Sequence, residues 1–257
     1  MNLTSRVLLA PSWTSIGKYW YPFVSRFASN DDAVFINWGY EEEPPMAIPL
    51  EQSDEAHRYS IQLYHRTATQ VDLTGKEVLE VSCGHGGGAS YLVRALKPAS
   101  YTGLDLNPAG IEFCRKRHQL PELDFVQGNA QELPFADQSF DAIVNVEASL
   151  HYPRFDLFLE EAARVLRPGG HLVYADARRQ DHIAEWEKEL GNAPMRIVSE
   201  RVISEQVAVA LEKDLPQLRE QGFRFTPSAF ADKFISSVCD GLRKGEMSYR
   251  MYCFAND

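Results

Sequence analysis

The stretch Val78-Leu79-Glu80-Val81-Ser82-Cys83-Gly84-His85-Gly86-Gly87-Gly88-Ala89 constrains this chain more than any other. A short apolar strand runs into small residues and then into a helix, predicted over Ser90–Leu96. Glycine allows a sharp turn and lets a ligand approach the backbone, because a Cβ would forbid both. The unpaired N–H groups at the start of the next helix attract a polar or anionic ligand end. Three consecutive glycines weaken a helix start, so a turn that merely joined strand to helix would not need them. The stretch reads as a cradle for a nucleotide-type cofactor.

The residues beyond the turn set the fold class. From Glu77 onward strands and helices alternate, the signature of a parallel sheet with crossover helices. Strands are predicted at Glu77–Ser82, Tyr101–Asp105, Asp124–Gln127, Asp141–Val146 and His171–Asp176. Asn107-Pro108 reads as a helix cap with proline at the first helical position. A helix over Pro153–Leu166 places Phe155, Leu159, Ala162 and Leu166 on one face, and Arg167-Pro168-Gly169-Gly170 stops it. After Asp181 the pattern loosens. Met195–Ile203 reads as a sixth strand and Ser248–Phe254 as a terminal one, with mostly helical sequence over Glu205–Gly245. The expected fold is therefore α/β, with a Rossmann-like seven-stranded mostly parallel sheet and helices on both faces. A helical insertion precedes the last strand and would cap the carboxyl ends of the sheet, where ligands bind in open α/β folds.

The first 53 residues differ. Nine aromatics fall within the first forty positions: Trp13, Tyr19, Trp20, Tyr21, Phe23, Phe27, Phe35, Trp38 and Tyr40. The acidic, proline-rich run Glu41–Pro45 reads as a loop. Residues 1–53 are expected to form a helical appendage or lid, and 54–257 the cofactor-binding core, with a helical substrate cap at about 204–245. Asp54–Gln70 reads as a helix capped by Asp54 or Ser53.

Composition narrows the functional classes. The net charge of −10 disfavours nucleic acid, which needs a basic face. The basic run Arg115-Lys116-Arg117 sits in a helical pattern and reads as a solvated face. No apolar run is long enough to span a bilayer, and Val7–Pro11 is too short for a signal-peptide core. The four cysteines (Cys83, Cys114, Cys239 and Cys253) form no Cys-x-x-Cys pair, which points to free thiols in a reducing cytoplasm and gives no zinc signal.

Which cofactor the turn holds is read from motifs in register. Gly84-x-Gly86-x-x-Ala89, with Asp105 at about the right distance, fits the dinucleotide fingerprint. Glu80, Ser82, Gly84 and Gly86 also resemble motif I of the class I S-adenosylmethionine (SAM) methyltransferases, with Ser82 where that family usually has glycine. Asp105, Asn129-Ala130 and Leu166-Arg167-Pro168-Gly169-Gly170 continue the resemblance. Leu-Pro-Phe-x-Asp at 133–137 with Ser139-Phe140-Asp141 is similar to the ubiquinone, menaquinone and tocopherol branch. Phe35–Tyr40, Leu63–Leu73, Tyr101–Gly110 and Ser248–Phe254 resemble the phthiotriol/phenolphthiotriol dimycocerosate methyltransferases. That family O-methylates a secondary hydroxyl on a long polyketide-derived lipid.

The resemblance implies SAM as cofactor and S-adenosylhomocysteine as product. It implies that Asp105 accepts hydrogen bonds from both ribose hydroxyls, that Asn129 accepts from the adenine amino group, and that Leu106 and Ala130 also bind the cofactor. Glu80 and the loop Ser82, Cys83, Gly84 and Gly86 would flank the methionine part. His85 would contact the cofactor carboxylate or face solvent, and Asn145–Glu147 would border the sulfonium. His151 matches a histidine that serves as base in related natural-product O-methyltransferases; Asp176 would orient that imidazole or take its proton. Trp38, Tyr40, Tyr64 and Tyr152 are candidates to close over an apolar acceptor. An aliphatic hydroxyl is a poor nucleophile, which is why a base is expected, and histidine has the best-matched pKa. No metal is expected, because no ligand pair stands at catechol-type magnesium spacing. A C- or N-methyltransferase, a nicotinamide-dependent oxidoreductase and a non-catalytic SAM-binding module are the competing readings; the second lacks a Tyr-x-x-x-Lys. The expected partner is a small apolar acceptor, with a homodimer left open.

Overall fold

The computed structural model describes residues 34–221 and 228–257, the side chains of 218–231 excepted. Six of the nine early aromatics (Trp13, Tyr19, Trp20, Tyr21, Phe23 and Phe27) lie outside the described residues. Seven strands form one sheet in the order β3-β2-β1-β4-β5-β7-β6. They are β1 (Glu77–Val81), β2 (Ser100–Asp105), β3 (Leu123–Gln127), β4 (Phe140–Val146), β5 (Leu166–Arg179), β6 (Arg196–Val202) and β7 (Met247–Ala255). β1 to β5 pair in parallel, and β7 runs antiparallel to both β5 and β6. The order turns back at β1 and β4, which places a crevice at the carboxyl ends of these strands.

Burial varies with strand position. β1 and β4 are buried on both faces nearly end to end, as central parallel strands must be, and they bury Glu80 and Asn145 among their apolar residues. β6 is the exposed edge and carries Arg196, Glu200 and Arg201, charges that discourage edge-to-edge pairing. The helices are α1 (Arg58–Ala68), α2 (Gly87–Leu96), α3 (Pro108–Arg117), α4 (Phe155–Val165), α5 (Gln180–Gly191), α6 (Ser204–Gln221) and α7 (Ser228–Arg243). One core joins the sheet to α1, α2, α3, α6 and α7, and a second joins its other face to α4 and α5.

Several elements differ from the sequence expectation. α2 begins at Gly87 rather than Ser90, because Gly86 at φ +77° is already its cap. α1 begins at Arg58 after a 3-10 turn over Glu55–His57; Asp54 does not cap it but ion-pairs with Arg94 at 2.9 Å. β5 extends from Leu166 to Arg179, because Leu166 already pairs with Phe140 and the Pro-Gly-Gly turn is accommodated as an irregularity in that ladder. α5 has no counterpart in the expectation, although Ile183, Trp186 and Leu190 form its buried stripe. Residues 34–53, the described part of the expected helical appendage, run as loops and turns without a helix. The Asn107-Pro108 cap is as expected: Asn107 Oδ1 accepts from Ala109 N at 3.1 Å.

The glycine turn is the tightest packing point. A Cβ on Gly88 would lie 2.1 Å from Tyr64 Cε1, and one on Gly87 would lie 2.5 Å from Val34 O. Gly88→Ala is expected to destabilise the protein by about 1–3 kcal/mol through overpacking. Gly191→Ala, where a Cβ meets nothing within 4 Å, should not. Denaturant midpoints of the two variants check this; equal midpoints would contradict it.

Candidate active site

The carboxyl ends of β1, β2, β4 and β5 bring most of the singled-out residues together. β1 ends at Val81, and Ser82 then takes φ +62°, a left-handed conformation rare for a side-chain-bearing residue. Its Oγ bonds the Tyr152 hydroxyl at 2.7 Å. Gly84 (φ +56°) and Gly86 (φ +77°) complete the turn, and a Cβ on Gly86 would meet the Phe125 ring at 2.9 Å. Cys83 is buried beneath the turn, its thiol against that of Cys114; this contact and burial push its pKa up.

Asp105 closes β2 and ties it to the turn. Its Oδ2 accepts from Gly84 N at 3.0 Å and its Oδ1 from Asn107 N at 2.9 Å. Burial raises its pKa above the usual carboxylate range, against the lowering by these backbone donors. Leu106 beside it is 66% exposed, and Ala130 is buried. Asn129 uses its Oδ1 to accept from Gln131 N at 3.0 Å, an Asx-type turn.

Two further carboxylates border the turn. Glu80 is only 1% exposed and accepts from the Tyr101 hydroxyl at 2.9 Å; burial pushes its pKa up to about 8. Glu147 leaves β4 at φ +51°, a strained conformation of the kind that collects at functional sites. Its Oε1 accepts from Trp38 N at 2.9 Å and from the Tyr249 hydroxyl at 2.7 Å, and burial pushes this acid to about 8 as well. Trp38 thereby anchors residues 34–50 over the sheet edge, its ring 6.2 Å from Tyr249. Asn145, buried on β4, donates to Val81 O at 2.8 Å and to the Tyr152 hydroxyl at 2.9 Å.

His151 ends a 3-10 turn over Ser149–His151 and is half-buried. Asp176, fully buried on β5, grips this turn by its first two residues: Oδ2 accepts from Ser149 Oγ at 2.7 Å and Leu150 N at 3.1 Å. Tyr40 is fully buried and donates to Glu42 Oε1 at 2.8 Å, a packing role. Tyr64 is buried against Gly88 and beside Glu80. His85 is buried against Phe113 rather than solvated. Tyr249, Ser149 and Arg178 are not singled out by the sequence, although Tyr174, Asp176 and Arg178 share one face of β5 by strand alternation. A cavity of about 450 Å³, lined in part by Ile183, Val202, Leu242, Met247 and Arg250, opens at the same sheet edge beyond β5. Among the described residues no cluster could hold a metal, and no helix is long and apolar enough to cross a membrane.

The Glu80 site carries a pH dependence. Between the ordinary value of 4.5 and about 8 the unfolded chain has lost a proton that folded Glu80 keeps. Raising the pH through this window therefore costs stability. Glu80→Gln removes that cost, so its stability relative to the parent should rise across the window in urea unfolding. A pH-independent difference would contradict the assignment.

A methyltransferase-domain family model matches residues 79–174. A phthiotriol/phenolphthiotriol dimycocerosates methyltransferase of Mycobacterium tuberculosis is 54% identical over 263 residues, covering 100% of this chain and 97% of the relative. A fatty-acid O-methyltransferase of Mycolicibacterium smegmatis is 54% identical over 239 residues, covering 91% of this chain and 87% of the relative. Among solved structures, the [4+2]-cyclase SpnF superposes with TM-score 0.71 at 20% identity, covering 96% of this chain and 97% of that one. Geranyl diphosphate methyltransferase in complex with SAM superposes with TM-score 0.67 at 15% identity, covering 88% and 100%. The residues present fit SAM. Glu80 Oε1 and Asn145 Oδ1 are buried acceptors without a hydrogen-bond partner among the described residues, at the turn where a cationic ligand would supply donors. The chain belongs to the methyltransferase family that includes the phthiotriol/phenolphthiotriol dimycocerosates methyltransferases, and it is a SAM-dependent methyltransferase.

Proposed function

We propose that the chain methylates a hydroxyl of a polyketide-derived lipid or another apolar natural product, with His151 as general base. SAM, when bound, supplies a methyl group on a sulfonium that already carries its leaving group. Asp105 would take the ribose hydroxyls, with Leu106, Asn129 and Ala130 at the adenine end. Glu80 and the backbone from Ser82 to Gly86 would hold the methionine part, and Glu147 the cationic side of the sulfonium. Both buried acids gain a compensating charge there, which offsets the cost of ionising them.

One observation carries the role of His151. Tyr152, the next residue, is bonded both to Ser82 in the cofactor turn and to Asn145 at the end of β4. The backbone bearing the imidazole is thus moored directly to the cofactor cradle. An alcohol at neutral pH needs its proton removed as the new bond forms, and an imidazole is matched to that task. Residues 34–53 and the helices between β6 and β7 would cover the acceptor and exclude water. We take the enzyme to be cytoplasmic and free of nucleic acid, consistent with its net charge of −10.

The similarity to a fatty-acid O-methyltransferase favours a second reading, in which the acceptor is a fatty-acid carboxylate. A carboxylate is already a nucleophile and needs no base, so one variant separates the two. With methyl-labelled SAM and a long-chain secondary alcohol, His151→Ala should lose about 10²–10⁴ in turnover while S-adenosylhomocysteine affinity is kept. With a fatty acid, the same variant should stay near parental turnover. Near-normal turnover on the alcohol would remove His151 as base. Label entering only the fatty acid would replace the first reading with the second.

A further inference from the structure

We propose that Ser149 and Arg178 are positioning residues that act on methyl transfer through His151, by fixing the turn that carries it. This rests on the reading of His151 as base. Ser149 Oγ is the hub of a buried polar knot between the turn, β5 and α5. Its single proton goes to Asp176 Oδ2 at 2.7 Å; it accepts from Arg178 Nη2 at 2.7 Å and from the Tyr174 hydroxyl at 2.6 Å. A hydroxyl has one donor and two acceptor positions, so this one is fully used and held in a single rotamer. Because Ser149's only proton goes to Asp176, the Tyr174 hydroxyl is the donor of their shared bond, and its oxygen accepts from Trp186 Nε1 at 3.1 Å.

Arg178 supplies the charge that lets the knot exist. Its guanidinium stands 3.3 Å from Asp176 Oδ2 and lies over the Trp186 ring at 4.8 Å and the Phe155 ring at 5.7 Å. Asp176 is fully buried, and a buried carboxylate is tolerated only when paired and hydrogen-bonded. Its Oδ1 accepts from Ala177 N at 2.7 Å, and its Oδ2 takes Ser149, Leu150 N and Arg178. With these donors gathered on it, the carboxylate is the anchor of the turn.

Stability alone does not call for such a knot, since a buried ionic cluster can often be replaced by apolar groups without loss. Its placement is what matters. Ser149 and Leu150 are clamped to β5 on one side of His151, and Tyr152 is clamped to Ser82 and Asn145 on the other. The imidazole hangs between two moorings, one on the cofactor turn and one on Asp176. Loosening the second lets the base drift while the cofactor cradle is untouched.

A double-mutant cycle tests this, with alcohol turnover and S-adenosylhomocysteine calorimetry as readouts. Ser149→Ala should lower kcat about a hundredfold, the cost of a misplacement of about 1 Å, with cofactor affinity and acceptor KM unmoved. Ser149→Thr, which keeps the hydroxyl, should restore most of it. Placed on His151→Ala, Ser149→Ala should add no further loss. Arg178→Lys, which keeps the charge but not the fork, should show the same pattern and carries the test should Ser149→Ala not fold. Equal losses in both backgrounds, or an unchanged kcat in Ser149→Ala, would overturn the proposal while leaving the base reading intact. Normal turnover in His151→Ala would overturn both.

Discussion

The site depends on how closely backbone can approach backbone at the turn after β1. Gly86, Gly87 and Gly88 sit against Phe125, Val34 and Tyr64 at distances that leave no room for a Cβ. That contact sets the direction of α2, and with it the amides around which a cofactor can be held. Asp105 completes the arrangement by binding Gly84 N, so the end of β2 and the turn move as one piece. The acid expected to recognise the ribose therefore also shapes the cradle.

Around this turn the protein accepts an electrostatic cost. Glu80 and Glu147 are both pushed toward neutrality by burial, and Asp105 is raised in the same sense. Besides burial, Glu80 is raised by the charge of Asp105 and Glu147 by that of Asp176, and an amide in place of each acid would serve better if stability were the only demand. A cationic ligand beside them would offset that cost. The two sides of the sheet divide the remaining work. Glu147 gathers Trp38 and Tyr249 on the face packed by α1, α6 and α7. On the other, Asp176 gathers Ser149, Arg178 and Tyr174 beside α4 and α5.

Much of this is legible in the sequence, for identifiable reasons. Central strands such as β1 and β4 are short segments rich in β-branched and apolar residues, and caps such as Asn107-Pro108 are local, so both can be read without the fold. The turn and Asp105 can be paired because their spacing comes from one βαβ unit. The features that escape the sequence depend on register. α5 is hidden because its stripe, Ile183, Trp186 and Leu190, is sparse among charged residues. Tyr249 reaches Glu147 only because β7 lies next to β5, a pairing 102 residues apart in sequence. The sequence makes Asp176 a partner for an imidazole; its bonds to Ser149 and Leu150 depend on a 3-10 turn that no periodicity announces. Asn129 Oδ1 accepts from Gln131 N in an Asx-type turn, a local bond that side-chain identity alone does not reveal.

The central claim is that one glycine turn and three acids hold SAM so that its methyl faces the edge bearing His151. A crystal structure of the complex with S-adenosylhomocysteine tests this most directly. The account predicts the ribose hydroxyls on the Asp105 carboxylate and the cofactor amino group within hydrogen-bond reach of Glu80 or Asn145. A ribose bound away from Asp105, or a cofactor sulfur walled off from His151, would contradict it.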